Sequence, residues 1–366
     1  MADYDITQLK SLEHDAVDGE YSSLVKIDDT HYILAYTGAA DDGYIKTFSI
    51  DGNYDITELD SLEHDALNGE YSSLVKIDDT HYILAYTGAA DDGYIKTFSI
   101  DGNYDITELD SLEHDLYNSR GSSLVKIDDT HYILAYGGNE FNGRISTFSI
   151  DGNYDITKLY SLGHDALSGL DNSLVKIDDT HYILAYRGDS NKGHIKTFSI
   201  DGNYDITELD SLTHDITYGY GSSLVKINDT HYILAYGGAS YDGYIKTFSI
   251  DGSYDITELN SIEHDLVYGY YNSLVKIDDT HYILAYVGTN SASHIKTFSI
   301  DGSYDITELD SLEHDIAYGY YNSLVKIDDT HYILAYTGVD HDGFIKTFEV
   351  EIPSMIARKT LLGVGI

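Results

Sequence analysis

The chain has no cysteine and no tryptophan, only one proline, and just 21 Lys plus Arg in 366 residues. Each shortage removes a class of explanation. Without cysteine there are no disulfide staples, thiolate zinc sites or thiol nucleophiles, and the redox compartment stays open. The few cations face 63 Asp plus Glu, a formal net charge of −42, so nucleic acid and anionic membrane surfaces are repelled at long range. No apolar run approaches the roughly 18 residues that span a bilayer. The opening residues, Met1-Ala2-Asp3-Tyr4-Asp5, hold neither a basic nor an apolar segment. No secretory signal is therefore expected in this chain, and its localisation is unspecified. Disorder is excluded as well, because 42% apolar and 13% aromatic residues suffice to bury a core.

What is present is a repeat. From Tyr4 the sequence recurs every 50 residues without insertion, and seven copies fill residues 4–353. Copies one and two differ only at Gln8/Glu58, Lys10/Asp60, Val17/Leu67 and Asp18/Asn68. Such near-identity points to recent duplication of one unit. Each copy predicts four strands. In the second copy, Asp55–His64 follows the hairpin signal Asp51-Gly52-Asn53 and reads as a strand with a bulge. Ser73–Ile77 and His81–Tyr86 flank an Asp-Asp-Thr turn, and Tyr94–Ile100 completes the set. His81–Tyr86 is apolar on both faces, as a strand between two packed layers requires.

Seven units of about 50 residues with four strands each predict an all-β, seven-bladed β-propeller over residues 1–353. An open solenoid would need divergent polar caps, which the end copies lack. The phase of the chain agrees. It opens with an Asp5–His14 strand that has no blade and ends at Phe344–Val350 with no outer partner, so joining them closes the ring and removes two edges. In blade length, strand count and closing offset the chain resembles the seven-bladed propeller superfamily. It is similar in architecture to YncE-like and lactonase-like members. It shares the His-Asp of WD40 blades (His64-Asp65) but not the Trp-Asp dipeptide, and architecture alone implies no activity.

Variation among the copies is concentrated in two segments; elsewhere the strands and two turns barely change, and the Asp-Asp-Thr turn departs only at Asn228. One segment follows His-Asp and the other follows the His81–Tyr86 strand and its equivalents; a meandering blade places both on one face and the two constant turns on the other. A variable loop face on a rigid scaffold is where binding is expected. It carries Tyr218, Tyr220, Tyr241, Tyr268, Tyr270, Tyr271, Tyr318, Tyr320 and Tyr321, with Arg120 and Arg187 as rare cations. Tyrosine offers flat apolar area plus a hydroxyl, suited to a sugar face or a protein surface. Tyr218, Tyr268 and Tyr318 suit packing between loops equally well. The arginines are read as pins for an anionic group or as relief of local repulsion.

Seven His-Asp pairs in equivalent places predict a structural hydrogen-bond element, not a catalytic dyad. His31 and its equivalents are read as core histidines. No cofactor is expected beyond calcium, for which Asp51, Asn53, Asp55, Asp41 and Asp42 supply oxygen ligands, with Asx-turn chemistry as the alternative. Pro353 ends the repeat, and residues 354–366 form an apolar tail with Arg358 and Lys359. The expectation is a non-enzymatic module binding a carbohydrate or protein, monomeric unless the tail mediates assembly. A ligand-free spacer and a propeller hydrolase are the alternatives.

Overall fold

The computed structural model describes residues 4–353; the expected tail, 354–366, lies outside the described residues. The fold is a seven-bladed β-propeller of seven four-stranded antiparallel sheets. In the first blade, Glu20–Lys26 is the inner strand, followed outward by His31–Thr37, Gly43–Ile50 and Ile56–Asp65. The seventh blade takes its outer strand from the N-terminus. Ile6–Asp15 pairs with Gly343–Val350 in the register Ile6 to Val350, as the chain phase predicts. The outer strand carries the expected bulge: Thr47 pairs Asp60 and Phe48 pairs Glu58, so Leu59 is skipped.

The core lies between the blades. Along His31–Thr37 every side chain from Tyr32 to Tyr36 is fully buried, and alternate residues serve two interfaces. Ile33 and Ala35 pack against Leu74, Tyr82, Leu84 and Tyr86 of the next blade. Tyr32, Leu34 and Tyr36 pack against Ile333 and Ala335 of the blade before. The Tyr-Leu-Tyr face of each of these strands therefore meets the Ile-Ala face of the equivalent strand in the blade before it.

Polar groups lock the same interfaces. Six of the seven histidines of the His-Asp pairs are buried and the seventh, His314, is partly so, and neither ring nitrogen of any of them has a protein hydrogen-bond partner. This corrects the expectation of a hydrogen-bonding imidazole. The His64 ring is instead a packing piece, edge-on to Tyr86 at 4.7 Å, and its Cε1 lies 2.5 Å from where a Cβ on Gly43 would stand. The hydrogen bonds come from its neighbours. Lys46 Nζ donates to the His14 carbonyl at 2.6 Å, and Tyr36 donates to Asp15 at 3.0 Å, each tying the first blade to the seventh.

His31 is also corrected, since it is not in the core. It lies on the constant face, where its Nδ1 is 2.9 Å from Asp28 and its ring stacks on Tyr104 of the adjacent blade at 3.7 Å. Tyr104 also donates to Asp28 at 2.9 Å. The turn that carries Tyr104 holds it at φ 69°, a strained setting that projects the ring across the blade boundary.

Candidate functional site

Both variable segments lie on one face, as the meander predicts. The loop joining each outer strand to the next inner strand crosses the short 3-10 turn of the preceding blade, where Gly169 N–H donates to the Phe141 carbonyl at 2.8 Å. Asp15 shapes the first loop by accepting the Val17 N–H at 3.1 Å. Gly19, Gly69, Gly169, Gly219, Gly269 and Gly319 let that loop descend, because a Cβ on Gly69 would sit 2.2 Å from Gly43 Cα; the third copy has Ser119 there.

Each inner strand then begins with a bulge, between Glu20 and Ser23 in the first copy, and the bulged residue is left-handed. In chain order these residues are Tyr21, Tyr71, Gly121, Asp171, Gly221, Tyr271 and Tyr321, with φ between 51° and 63°. They converge around the axis of the ring. Tyr271, Tyr321, Tyr21 and Tyr71 come from four consecutive blades and form an arc, with ring centroids 4.5, 4.0 and 4.3 Å apart. The other three blades place Gly121, Asp171 and Gly221 there. The axis is therefore walled by tyrosine on one side and open on the other.

A cavity of about 390 Å³ occupies the open side. Its walls add Tyr220, Tyr241, Tyr270 and Arg187 to the axial residues. Arg187 Nε donates to Asp171 at 2.6 Å, its Nη1 donates to Asn191 at 3.0 Å, and its guanidinium lies 4.4 Å from the centroid of Tyr220. The cation is thus paired and oriented before any ligand arrives. Burial pushes the phenols of Tyr21, Tyr71, Tyr270 and Tyr321 up, and that of Tyr271 up to about 12. All stay protonated at neutral pH, so the walls offer hydroxyl donors and one neutralised ion pair.

Of the residues the sequence singled out, Tyr220, Tyr241, Tyr270, Tyr271, Tyr321 and Arg187 line this cavity. Tyr218 stacks behind it on Tyr220 and Tyr241, at 5.5 and 5.6 Å. Tyr268 and Tyr318 sit edge-on to Tyr270 and Tyr320, and Tyr320 donates to Ser291 at 3.2 Å. Arg120 stands apart, paired with Asp91 at 3.3 Å over Phe141. Tyr21, Tyr71 and Asp171 were missed. Their signal was one column of the first variable loop, which reads Tyr, Tyr, Gly, Asp, Gly, Tyr, Tyr around the ring.

The calcium candidates take up turn chemistry. Asp51 accepts the Asn53 and Asp55 N–H groups at 2.8 and 3.0 Å, which holds its carboxyl below the usual range. Asp41, like Ala40 before it, is left-handed in a 3-10 turn, and Asp42 N–H closes that turn onto the Ala39 carbonyl. Around the cavity, each outer-to-inner loop presents a large apolar side chain to solvent, among them Leu67, Leu167, Ile216, Leu266 and Ile316.

No family model and no curated protein matches the chain. Solved structures do. A protein from Lactobacillus plantarum is 14% identical, with TM-score 0.62 over 80% of this chain and 84% of that one. A periplasmic gluconolactonase from Pseudomonas aeruginosa is 13% identical, with TM-score 0.62 over 80% and 85%. A protein of unknown function from Dyadobacter fermentans is 11% identical, with TM-score 0.56 over 94% and 99%. These similarities show the fold. Among the described residues no helix is long and apolar enough to cross a membrane.

Proposed function

We propose that the protein is a non-enzymatic carbohydrate-binding module whose site is the tyrosine-walled cavity at the axis of the variable face. The observation that carries this reading is the broken symmetry of the axial ring. Seven nearly identical blades supply four tyrosines to one side and Gly121, Asp171 and Gly221 to the other. The result is one cavity with aromatic walls and a preformed Arg187–Asp171 pair. Flat rings stack on the C–H faces of a pyranose, while the ion pair and phenol hydroxyls meet its hydroxyl groups. A volume of about 390 Å³ is of the size that holds a mono- or disaccharide.

The test is a glycan array followed by calorimetry on the hits, with millimolar calcium and again with chelator. Tyr270→Ala and Asp171→Ala are expected to weaken binding at least tenfold while leaving the melting temperature within a few degrees. A blank array, or turnover of a sugar lactone, overturns the reading. The ring of exposed apolar residues favours a second reading, a protein partner seated over the whole face. Binding would then fall on Leu266→Asp and Ile316→Asp but not on Tyr270→Ala.

A further inference from the structure

We infer that the Gly343–Val350 edge takes the Ile6–Asp15 strand of a second copy of this chain, two rings closing each other by reciprocal exchange. In the other six blades a short turn, 51–55 in the first, joins the third strand to the outer one. The seventh blade has no such link, and its outer strand is tethered only through the loop 16–19 to Glu20–Lys26. The contacts this strand makes in its own ring can be remade in a partner's, from the ladder with Gly343–Val350 to the Tyr4 ring stacked on His281 at 3.8 Å. Exchange therefore sacrifices no interface, and its rate is set by how readily the strand leaves.

Its hold is weaker than that of its six equivalents. In five blades a third-strand lysine pairs with a glutamate of the outer strand at 2.9 or 3.0 Å, as Lys46 does with Glu58. The closing strand has Gln8 in that place, and Lys346 lies 3.6 Å from Asp315 of the sixth blade instead. At four of the seven junctions an outer-strand aspartate accepts a backbone N–H of the next outer strand. Asp60 accepts that of Ile106 at 2.7 Å, and Asp110, Asp210 and Asp310 accept those of Ile156, Ile256 and Ile6 at 2.8 Å. The closing strand has Lys10 there, in an exposed ion pair with Asp55 that adds little. Ile56 beside it is half-buried, whereas the six equivalent isoleucines are buried. The Thr347 hydroxyl reaches the Tyr54 carbonyl at 3.4 Å, against 2.9 to 3.1 Å at the other junctions.

The tether favours release as well. Asp18 stands in this loop where the other copies have Asn, Ser or Tyr. Burial, with Glu20 nearby, pushes its carboxyl up to about 6. At neutral pH it is ionised in a setting that disfavours the charge, and straightening the loop returns it to water. Short hinge loops under strain invite exchange between identical chains.

A chain without cysteine makes the test direct. Thr7 pairs with Glu349, so Thr7→Cys/Glu349→Cys puts a thiol pair across the exchanged interface. Ser49→Cys/Thr57→Cys puts one at the same register inside the first blade. Both are incubated at millimolar concentration in molar sodium chloride, which screens repulsion between two chains of charge −42, and then oxidised. The first variant is expected to give disulfide-linked dimers on a non-reducing gel, and the second only monomers. Adding Gln8→Glu and Lys10→Asp makes the closing strand identical to Ile56–Asp65 and should slow the appearance of linked dimers several-fold. No linked dimer, equal dimer from both thiol pairs, or a rate unchanged by the two substitutions overturns the proposal. The parent chain supplies a second readout. Unlabelled and isotope-labelled protein, mixed under the same conditions, should give mixed-label dimers by native mass spectrometry, and monomers alone overturn the proposal. No readout involves a ligand, so failure here leaves the carbohydrate reading standing, and the reverse.

Discussion

One lysine shows how tightly single residues are specified. In most copies a buried lysine on the third strand, such as Lys46 or Lys196, donates to the histidine carbonyl of the preceding blade and pairs with a glutamate on its own outer strand. In the third blade the third-strand residue is Ser146, and the outer strand carries Lys158 in place of the glutamate. Lys158 Nζ reaches the same carbonyl, that of His114, at 3.0 Å. The charge has moved to the partner strand and the hydrogen bond has survived. Lys158→Glu is expected to destabilise by about 1–3 kcal/mol, the cost of an unpaired buried carbonyl, and Ser146→Lys in the same chain should restore most of it. Urea denaturation of the two single variants and the double variant measures this coupling.

Asn228 is a second exception, standing where the other six copies have aspartate. His231 faces its Oδ1 at 3.1 Å, and burial lowers the imidazole pKa. Asn228→Asp should raise that pKa. A raised histidine pKa stabilises below the unfolded value and ceases to do so as pH rises through the folded one. The gain, up to about 1 kcal/mol for a partly exposed pair, should therefore appear at pH 5 and vanish by pH 8. Equal gains at both pH values would contradict it.

At the scale of the strand, the outer element carries the acid sensitivity of the fold. Its histidine is held neutral by burial and by the nearby lysine, at about 3 for His14, His64, His114, His164, His214 and His264, and well below the ordinary value for His314. In the unfolded chain each titrates near 6.5. Above that pH both states are neutral and nothing is lost. As pH falls from 6.5 toward 3, the unfolded state gains protons that the folded state refuses. Stability drops by about 1.4 kcal/mol per pH unit for each such proton. Unfolding at pH 5 should take up several protons, approaching one per blade, which calorimetry in buffers of different ionisation enthalpy can count. An uptake near zero would refute the neutral buried histidine. The lowered carboxyl of Asp78, about 2, acts in the same direction at more acidic pH.

For the whole molecule, two consequences follow from ring closure and charge. The strand Ile6–Asp15 matters as the missing edge of the last blade, wherever it sits in the chain order. A permutant in which residues 4–15 follow residue 353 should melt within a few degrees of the parent, whereas deleting them exposes the Gly343–Val350 edge and should cause association or loss of fold. Charge acts on the assembled disc as a whole. A net −42 repels itself, so the melting temperature should rise between low and molar sodium chloride, and an unchanged value would contradict this.

The 50-residue period, the four strands per unit, the bulge in the outer strand and the closing offset were all legible in the sequence. Each is a local pattern or a count, and a repeated pattern leaves few ways to bury its apolar faces. The face that carries the candidate site was legible too, because variation among copies marked it. Tertiary structure decided which side chains meet. The roles of His31 and His64 depend on neighbours in the adjacent blade, and spacing along the chain carries no record of those. The candidate site arises from seven residues 50 apart that only ring closure brings onto one axis. One copy at a time, Tyr21, Asp171 and Gly221 are unremarked loop residues; placed around a circle, they form an arc, an ion pair and a gap.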